Sequence, residues 1–267
     1  MAERTPRILL DSVDSTMDEA RRQAAQGMRG PLWIVARRQT AGRGRHGRRW
    51  LSEPGNLHAT LLLGDPGPAS ALGQLSLVAG LALHDALAPC LPRQAAPDLR
   101  IKWPNDLLLG GAKLAGILAE SAGPAARPAE TVAVGFGVNC RHCPADLPYR
   151  ATSLAAEGAQ VDPLELLDRL DESFAARRRV WNRGAGFASI RADWLARAHG
   201  LGAAVSVRLG LPGSPASASL DGVFDGLDPE GRLALRQGDR VRFIAAGDVA
   251  WPPAPEQPEG RRHGARV

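Results

Sequence analysis

Residues 40–50 read TAGRGRHGRRW: four arginines, three glycines and a histidine within eleven positions. The spacing Gly42-x-Gly44-x-x-Gly47 spells the dinucleotide-binding fingerprint. Under that reading the fold would be a doubly wound sheet with a helix directly after the glycines, because the pyrophosphate rests on that helix's N-terminus. The residues that follow argue against it. They are Arg48-Arg49-Trp50-Leu51-Ser52-Glu53-Pro54-Gly55, and then a strand pattern, NLHATLLL, over 56–63. Pro54-Gly55 leaves no length for a crossover helix. Asp65 falls at a suitable distance for a ribose contact, but a lone glycine fingerprint is a weak signal. The stretch reads instead as a cationic loop between two strands, LWIVARR over 32–38 and the 56–63 run. Its glycines allow close backbone approach, its guanidinium groups suit a polyanion such as a triphosphate, and such a loop can open for entry and close over a ligand. A nucleic-acid-binding arginine segment and a solvated surface loop stand beside that reading.

Composition narrows the classes. A chain of 267 residues has room for one large domain and a small one, and 44% hydrophobic residues suit a globular core. No apolar run reaches ~18 residues, so no membrane span is expected, and MAERTPRILL lacks the features of a signal peptide. Three cysteines, Cys90, Cys140 and Cys143, make no disulfide framework, and a reducing cytoplasm is the expected compartment. Cys140 and Cys143 enclose His142, but one such pair without a second argues against a zinc site. A net charge of +5 and a pI near 9.8 fit a nucleic-acid binder or a mildly basic protein of another kind, and +5 over this length favours the second. The distribution says more than the total. Of 33 basic residues only two, Lys102 and Lys113, are lysines. In a chain that otherwise uses arginine, a compact ammonium is a candidate for chemistry.

Along the chain, DSVDSTMDEARRQAAQG (11–27) reads as a helix capped by Asp14 or Ser15 and ended by Gly27. A mostly buried helix follows over 70–87, closed by Pro89, then a strand at 99–103 and a hairpin over 106–120 around Gly110-Gly111. A strand at 131–139 precedes a helix opened by Asp162-Pro163 that runs to about Trp181, and another over 187–198 that stops at Gly200. From Gly202 the composition changes to short β runs separated by turns, and the tail 252–267 carries too little apolar residue to pack, so it is expected to be disordered. The expected units are therefore 1–200, 201–251 and that tail.

The loop does not stand alone. Asp14-Ser15-Thr16, Gln39 through Trp50, Lys102-Trp103-Pro104-Asn105-Asp106, Lys113 through Leu118 and Gly135 through Asn139 occur in a fixed order. In these motifs the chain closely resembles the bacterial biotin–protein ligases, over about residues 8–250. The resemblance implies an α/β fold, a mixed-sheet catalytic domain like that of class II tRNA synthetases and the biotin and lipoate ligases, followed by a small SH3-like barrel. It implies conversion of biotin and ATP, with Mg2+, to biotinyl-5′-adenylate, then transfer to one lysine of a biotin carboxyl carrier protein. It also implies roles. Arg43, Lys113 and Asp106 are the catalytic set. Ser15, Thr16, Gln39, Gly42, Arg43, Arg45, Lys113 and Gly116 contact biotin, and Arg45, Arg48, Trp50, Asn105, Lys113 and Asn139 contact ATP. Cations dominate because two anions, a carboxylate and an α-phosphate, must meet.

Each residue has a structural reading too. Ser15 can be only an N-cap, Gln39 a solvated strand-end amide, Asp106 a turn residue, and Lys102 a surface strand residue. Trp50 and Trp103 can be core, and His46 is expected to be solvated. Met17 departs from the family, which usually carries Asn after Ser-Thr, and this puts one polar contact to biotin in doubt. The short stretch before Ser15 leaves no room for a helix-turn-helix domain, so a ligase-only type that binds no specific DNA and no membrane, as monomer or homodimer, is expected. The rivals are a lipoate or octanoate ligase, which the GRGRHGRRW loop disfavours, and a nucleic-acid binder, which needs more aromatic residues near the loop than Trp50.

Overall fold

The computed structural model describes residues 4–123, 130–145, 147–210 and 218–251; the tail 252–267 lies outside them. Seven strands form one sheet: β1 (Arg7–Val13), β2 (Leu32–Gln39), β3 (Leu57–Gly64), β4 (Leu99–Lys102), β5 (Asp106–Leu109), β6 (Ala112–Ser121) and β7 (Thr131–Val138). Their order is β1-β2-β3-β7-β6-β5-β4. Only β1 and β2 are parallel, joined by the crossover helix α1 (Thr16–Ala25), and the other neighbours are antiparallel. The sheet is thus mixed, as expected. Strand β1 was not expected: the segment read as the start of a helix is extended through Val13, and the helix begins only at Thr16.

Strands β3 and β7 are buried at almost every position, as central strands covered on both faces are. Helices α2 (Leu75–Leu87), α3 (Pro163–Trp181) and α4 (Phe187–Ala196) cover one face. Asp162 caps α3 as expected, its Oδ1 accepting from the Leu164 N–H at 2.8 Å. The helical stretch Ala69–Cys90 is long and apolar enough to cross a bilayer by length and composition, but α2 is buried on nearly all sides, which is the pattern of a core helix. On the other face α1 packs Met17, Ala20 and Ala24 over Leu32, Ile34, Leu62 and Ala133. This helix covers only part of that face. Beyond its N-terminus, Gly135 and Gly137 continue the row begun by Ala133 without filling it.

The second sheet holds β8 (Ala204–Leu209), β9 (Ala218–Leu227), β10 (Leu233–Gln237), β11 (Arg240–Ile244) and β12 (Asp248–Ala250) in the order β11-β10-β9-β8-β12. All its pairs are antiparallel, and β12 returns to β8, giving the small SH3-like unit. Its core residues Val205, Val207, Phe224 and Leu235 are continuous with the main core. Trp194 meets Phe224 edge-on at 6.4 Å, and Trp103, buried as expected, donates its indole N–H to the Gly231 carbonyl at 3.3 Å.

Candidate active site

The uncovered face of the large sheet is a cleft whose space, its open mouth included, is about 760 Å³. Ser15, Thr16 and Met17 close one end, where β1 turns into α1. Ser15 occupies the N-cap position, but its hydroxyl makes no cap hydrogen bond, and the buried residue lines the cleft. Gln39 ends β2 and is not a free amide. Its Oε1 accepts from the Thr16 N–H at 2.8 Å and from the Thr16 hydroxyl at 3.0 Å, and its Nε2 donates to Ser52 Oγ at 2.9 Å. Thr60 adds a hydroxyl donated to Thr16 Oγ1 at 2.8 Å. These groups form a rigid polar end.

Glycines set the floor. A Cβ on Gly137 would lie 2.5 Å from the Trp50 ring, so only glycine lets that indole lie against β7. A Cβ on Gly135 would lie 2.8 Å from Met17 Sδ, so the thioether sits where the strand leaves space. Gly42 is not on the wall; its missing side chain lets the chain close against Ser52 and the Trp50 carbonyl.

The Arg/Gly loop is a small tight structure. Arg43 and Arg49 form a bridge, the Gly44 N–H donates to the Arg48 carbonyl at 2.7 Å, and the Trp50 N–H donates to the Gly42 carbonyl at 2.9 Å. His46 takes φ 57°, a left-handed value uncommon outside glycine, and is exposed, as expected. The loop's cations have acidic partners on other elements. Arg43 donates to Asp18 of α1 at 2.9 Å and to Glu120 of β6 at 3.2 Å, and Arg21 bridges the same two carboxylates. Arg45 donates to Asn105 Oδ1 at 3.3 Å and to the Gly247 carbonyl at 3.1 Å, 3.4 Å from Asp248; Arg48 pairs with Asp248 as well. Burial pulls the Arg45 pKa down, and Asp248 and Asp106 oppose it.

Lys113 follows the Gly110-Gly111 turn, both glycines having positive φ as a two-residue hairpin turn requires. Its ammonium lies 2.8 Å from Asp106 Oδ1, a contact ion pair off the hydrogen-bond axis. The rings of Trp50 and Tyr149 flank it at 5.6 and 5.7 Å. A second compartment of about 340 Å³, open space at its mouth included, shares Arg49, Trp50, Lys113 and Tyr149 with the first and adds Leu51, Asn139, Pro144, Leu147 and Ala151. Asn139 is buried there, its amide donating to the Thr152 carbonyl at 3.0 Å. Lys102 is not on either wall. It lies 5.3 Å over the Trp251 ring, and burial lowers its pKa, with Asp106 opposing. No group of three or more His, Cys, Asp or Glu among the described residues is arranged to hold a metal, the Cys140–Cys143 segment included.

Of the expected site residues, Ser15, Thr16, Gln39, Arg43, Arg45, Arg48, Trp50, Asn105, Asp106, Lys113 and Gly116 all line the main cleft. Asn139 lies in the second compartment and Gly42 behind the wall. The biotin/lipoate A/B protein ligase family profile matches residues 9–139. A biotin–[acetyl-CoA-carboxylase] ligase of Paracoccus denitrificans is 44% identical over 248 residues, covering 90% of this chain and 98% of that one. The chain belongs to the biotin protein ligase family. A second such ligase, from Mycobacterium tuberculosis, is 38% identical over 81% of this chain and 77% of its own. The biotin protein ligase of Aquifex aeolicus in complex with biotin and ATP matches in fold at a TM-score of 0.75 and 28% identity, over 92% of this chain and 97% of that one.

Within this biotin protein ligase, four residues escaped sequence reading: Tyr149 and Asp248 on the cleft wall, and Asp18 and Glu120, which hold Arg43. Asp18, Glu120 and Asp248 are carboxylates whose cationic partners lie 25, 77 and 203 positions away. No local pattern marks such pairs. Tyr149 sits in irregular chain, and the one available signal is that the sequence contains no other tyrosine.

Proposed function

We propose that the protein activates biotin with ATP and transfers it to one lysine of a biotin carboxyl carrier protein of a carboxylase. The observation that carries this reading is the single cleft in which a rigid polar end (Ser15, Thr16, Gln39) faces a rim of cations (Arg43, Arg45, Arg48, Lys113), in a chain 44% identical to a ligase of that name. Thr16 and Gln39 hold the polar ring of biotin, and the rest runs along the wall to which Gly116, Gly135 and Gly137 contribute. A biotin carboxylate oxygen attacks the α-phosphorus; the new C–O–P linkage forms as the bond to the β-phosphate oxygen breaks, and pyrophosphate leaves. Lys113 neutralises charge on both reacting anions, and Arg43, Arg45 and Arg48 bind phosphate oxygens. Trp50, Asn105 and Asn139 border the nucleotide. Mg2+ arrives with ATP as part of the substrate, since phosphates and retained waters supply most of its ligands and one or two carboxylates suffice beside them.

In the second step the acceptor lysine's amine attacks the acyl carbon and AMP leaves. With a free pKa of ~10.4 that amine arrives protonated. Asp106 takes up the proton or orients the amine. Residues 1–200 serve as the catalytic unit and 201–251 as the β unit that completes the rim through Asp248; the compartment is cytoplasmic. ATP–pyrophosphate exchange measured with biotin, lipoate and octanoate side by side tests the reading. Exchange with biotin alone is expected; exchange with lipoate and not biotin overturns it.

A further inference from the structure

Lys113 is the only cleft lysine, and its surroundings are unusual for a cation. Among the described residues the carboxylate it touches is Asp106, and two aromatic rings lie close to it. Both rings lie within the ~6 Å at which a cation is attracted to an aromatic face. An aromatic face draws an ammonium without neutralising it. A second carboxylate in that place would hold the ammonium's donors and repel an arriving anion. The arrangement therefore leaves Lys113 with charge to offer.

The two rings are secured differently. Trp50 is pinned against Gly137 of β7. Tyr149, 45% exposed, belongs to a segment tied to Lys113 itself: the Lys113 N–H donates to the Arg150 carbonyl at 2.8 Å, and its carbonyl accepts from the Thr152 N–H at 3.0 Å. Ala151 forms a parallel bridge with Lys113. Arg49, Trp50, Lys113 and Tyr149 are the residues common to both compartments, so the ammonium stands at their junction.

We propose that Tyr149 is a positioning residue for the reaction: its ring holds the Lys113 ammonium at the junction of the two compartments, out of full engagement with Asp106. The assignment rests on the ligase reading above. It predicts that the ring, and not the hydroxyl, matters. Tyr149→Phe keeps the exchange kcat and both KM values within about twofold of wild type. Tyr149→Ala lowers the exchange kcat about tenfold or more, leaves the KM for biotin within about twofold, and melts with the wild type.

The scarcity of lysine supplies a readout independent of catalysis. With 13C-lysine the full chain yields two side-chain ε signals, Lys102 and Lys113, assigned through Lys102→Arg. The Lys113 ε protons are expected upfield, between two rings; Tyr149→Ala moves them downfield and Tyr149→Phe does not. A Lys113 signal unmoved in Tyr149→Ala overturns the proposal, as does a moved signal with kcat unchanged, or a loss confined to the KM for biotin. Absence of biotin-dependent exchange in the wild type refutes the ligase reading instead, and the ring-shift comparison still decides whether Tyr149 holds the ammonium.

Discussion

The loop 42–49 and the strand pair β6–β7 bring groups to the same cleft by opposite means. The strands are fixed by their ladder from Ala115–Val138 to Ser121–Val132, which places the floor glycines, and Lys113, just before it on β6, pairs with Leu108 of β5. The loop has one bridge, made by two short backbone bonds, and a longer bond from the Arg48 N–H to the Arg45 carbonyl at 3.3 Å. Its arginines are placed by carboxylates on three other elements, α1, β6 and β12. Position is thus an intrinsic property of the strand side and a borrowed one on the loop side. Substitutions on the strand side should alter chemistry without loosening anything, and those on the loop side should alter retention and mobility.

The largest effect is expected at Lys113. Lys113→Arg keeps the charge but replaces a compact ammonium by a wide planar group, and a cation displaced by about 1 Å costs on the order of a hundredfold. Biotin-dependent pyrophosphate exchange should fall by that factor while the melting temperature stays within a few degrees. Exchange within threefold of wild type would remove Lys113 from the chemistry.

Next comes Arg45→Gly. A lost charge-assisted hydrogen bond costs roughly 1.5 kcal/mol or more, about tenfold. The loss should emerge as faster release of the adenylate, read by labelling of unrelated lysines, with biotin affinity nearly unchanged. An unaltered adenylate off-rate would show that the loop cation does not hold the phosphate end.

A smaller change is expected from Asp248→Asn, which frees Arg45 and Arg48 together. Partly exposed pairs are worth about 0.2–1 kcal/mol each, so amide exchange over 42–49 should quicken a few-fold, while exchange over 131–138 stays as it was. Equal protection of the loop in both proteins would mean that its own backbone bonds suffice, and the contrast with the strands would lapse.

The smallest effect belongs to the sheet. His58 on β3 is 1% exposed, and burial lowers its pKa from 6.5. The unfolded chain therefore takes up a proton below about pH 6.5 that the fold resists, so stability is full above that pH and declines as pH falls through it. His58→Gln should flatten that part of the stability curve in chemical denaturation. A slope identical to wild type would assign the acid sensitivity elsewhere.

The contrast also explains what the sequence disclosed. Strands β2, β3 and β4–β7 were legible because their apolar runs and the Gly110-Gly111 turn are local signals, and Lys113 was legible from its rarity. Strand β1 was not, because RILLDSV mixes Ile8 and Leu10 with the exposed Asp11 and Ser12, and its pairing is parallel and set by a helix that intervenes. Ser15, Thr16 and Gln39 could be named from the family likeness, but their mutual hydrogen bonding could not. The cations of the loop were visible and their carboxylate partners were not, since ion pairing across 25 to 203 residues is decided only by the finished fold.

The Asp248 contact also sets an order in time. The polar end, the glycine floor and Lys113 are all translated by Val138, whereas the carboxylate that steadies Arg45 and Arg48 lies in the last strand of the second sheet. Ribosomes add about 5–20 residues per second, so on the order of ten seconds separate the two events. Within it, once α4 has been completed at Ala196, a growing chain holds the sheet and its covering helices and yet lacks the brace on its rim. A reactive acyl phosphate made then would escape and acylate whatever amine stood nearby. Because the brace is encoded far downstream of the pocket's other groups, the rim is sealed later than the pocket is made.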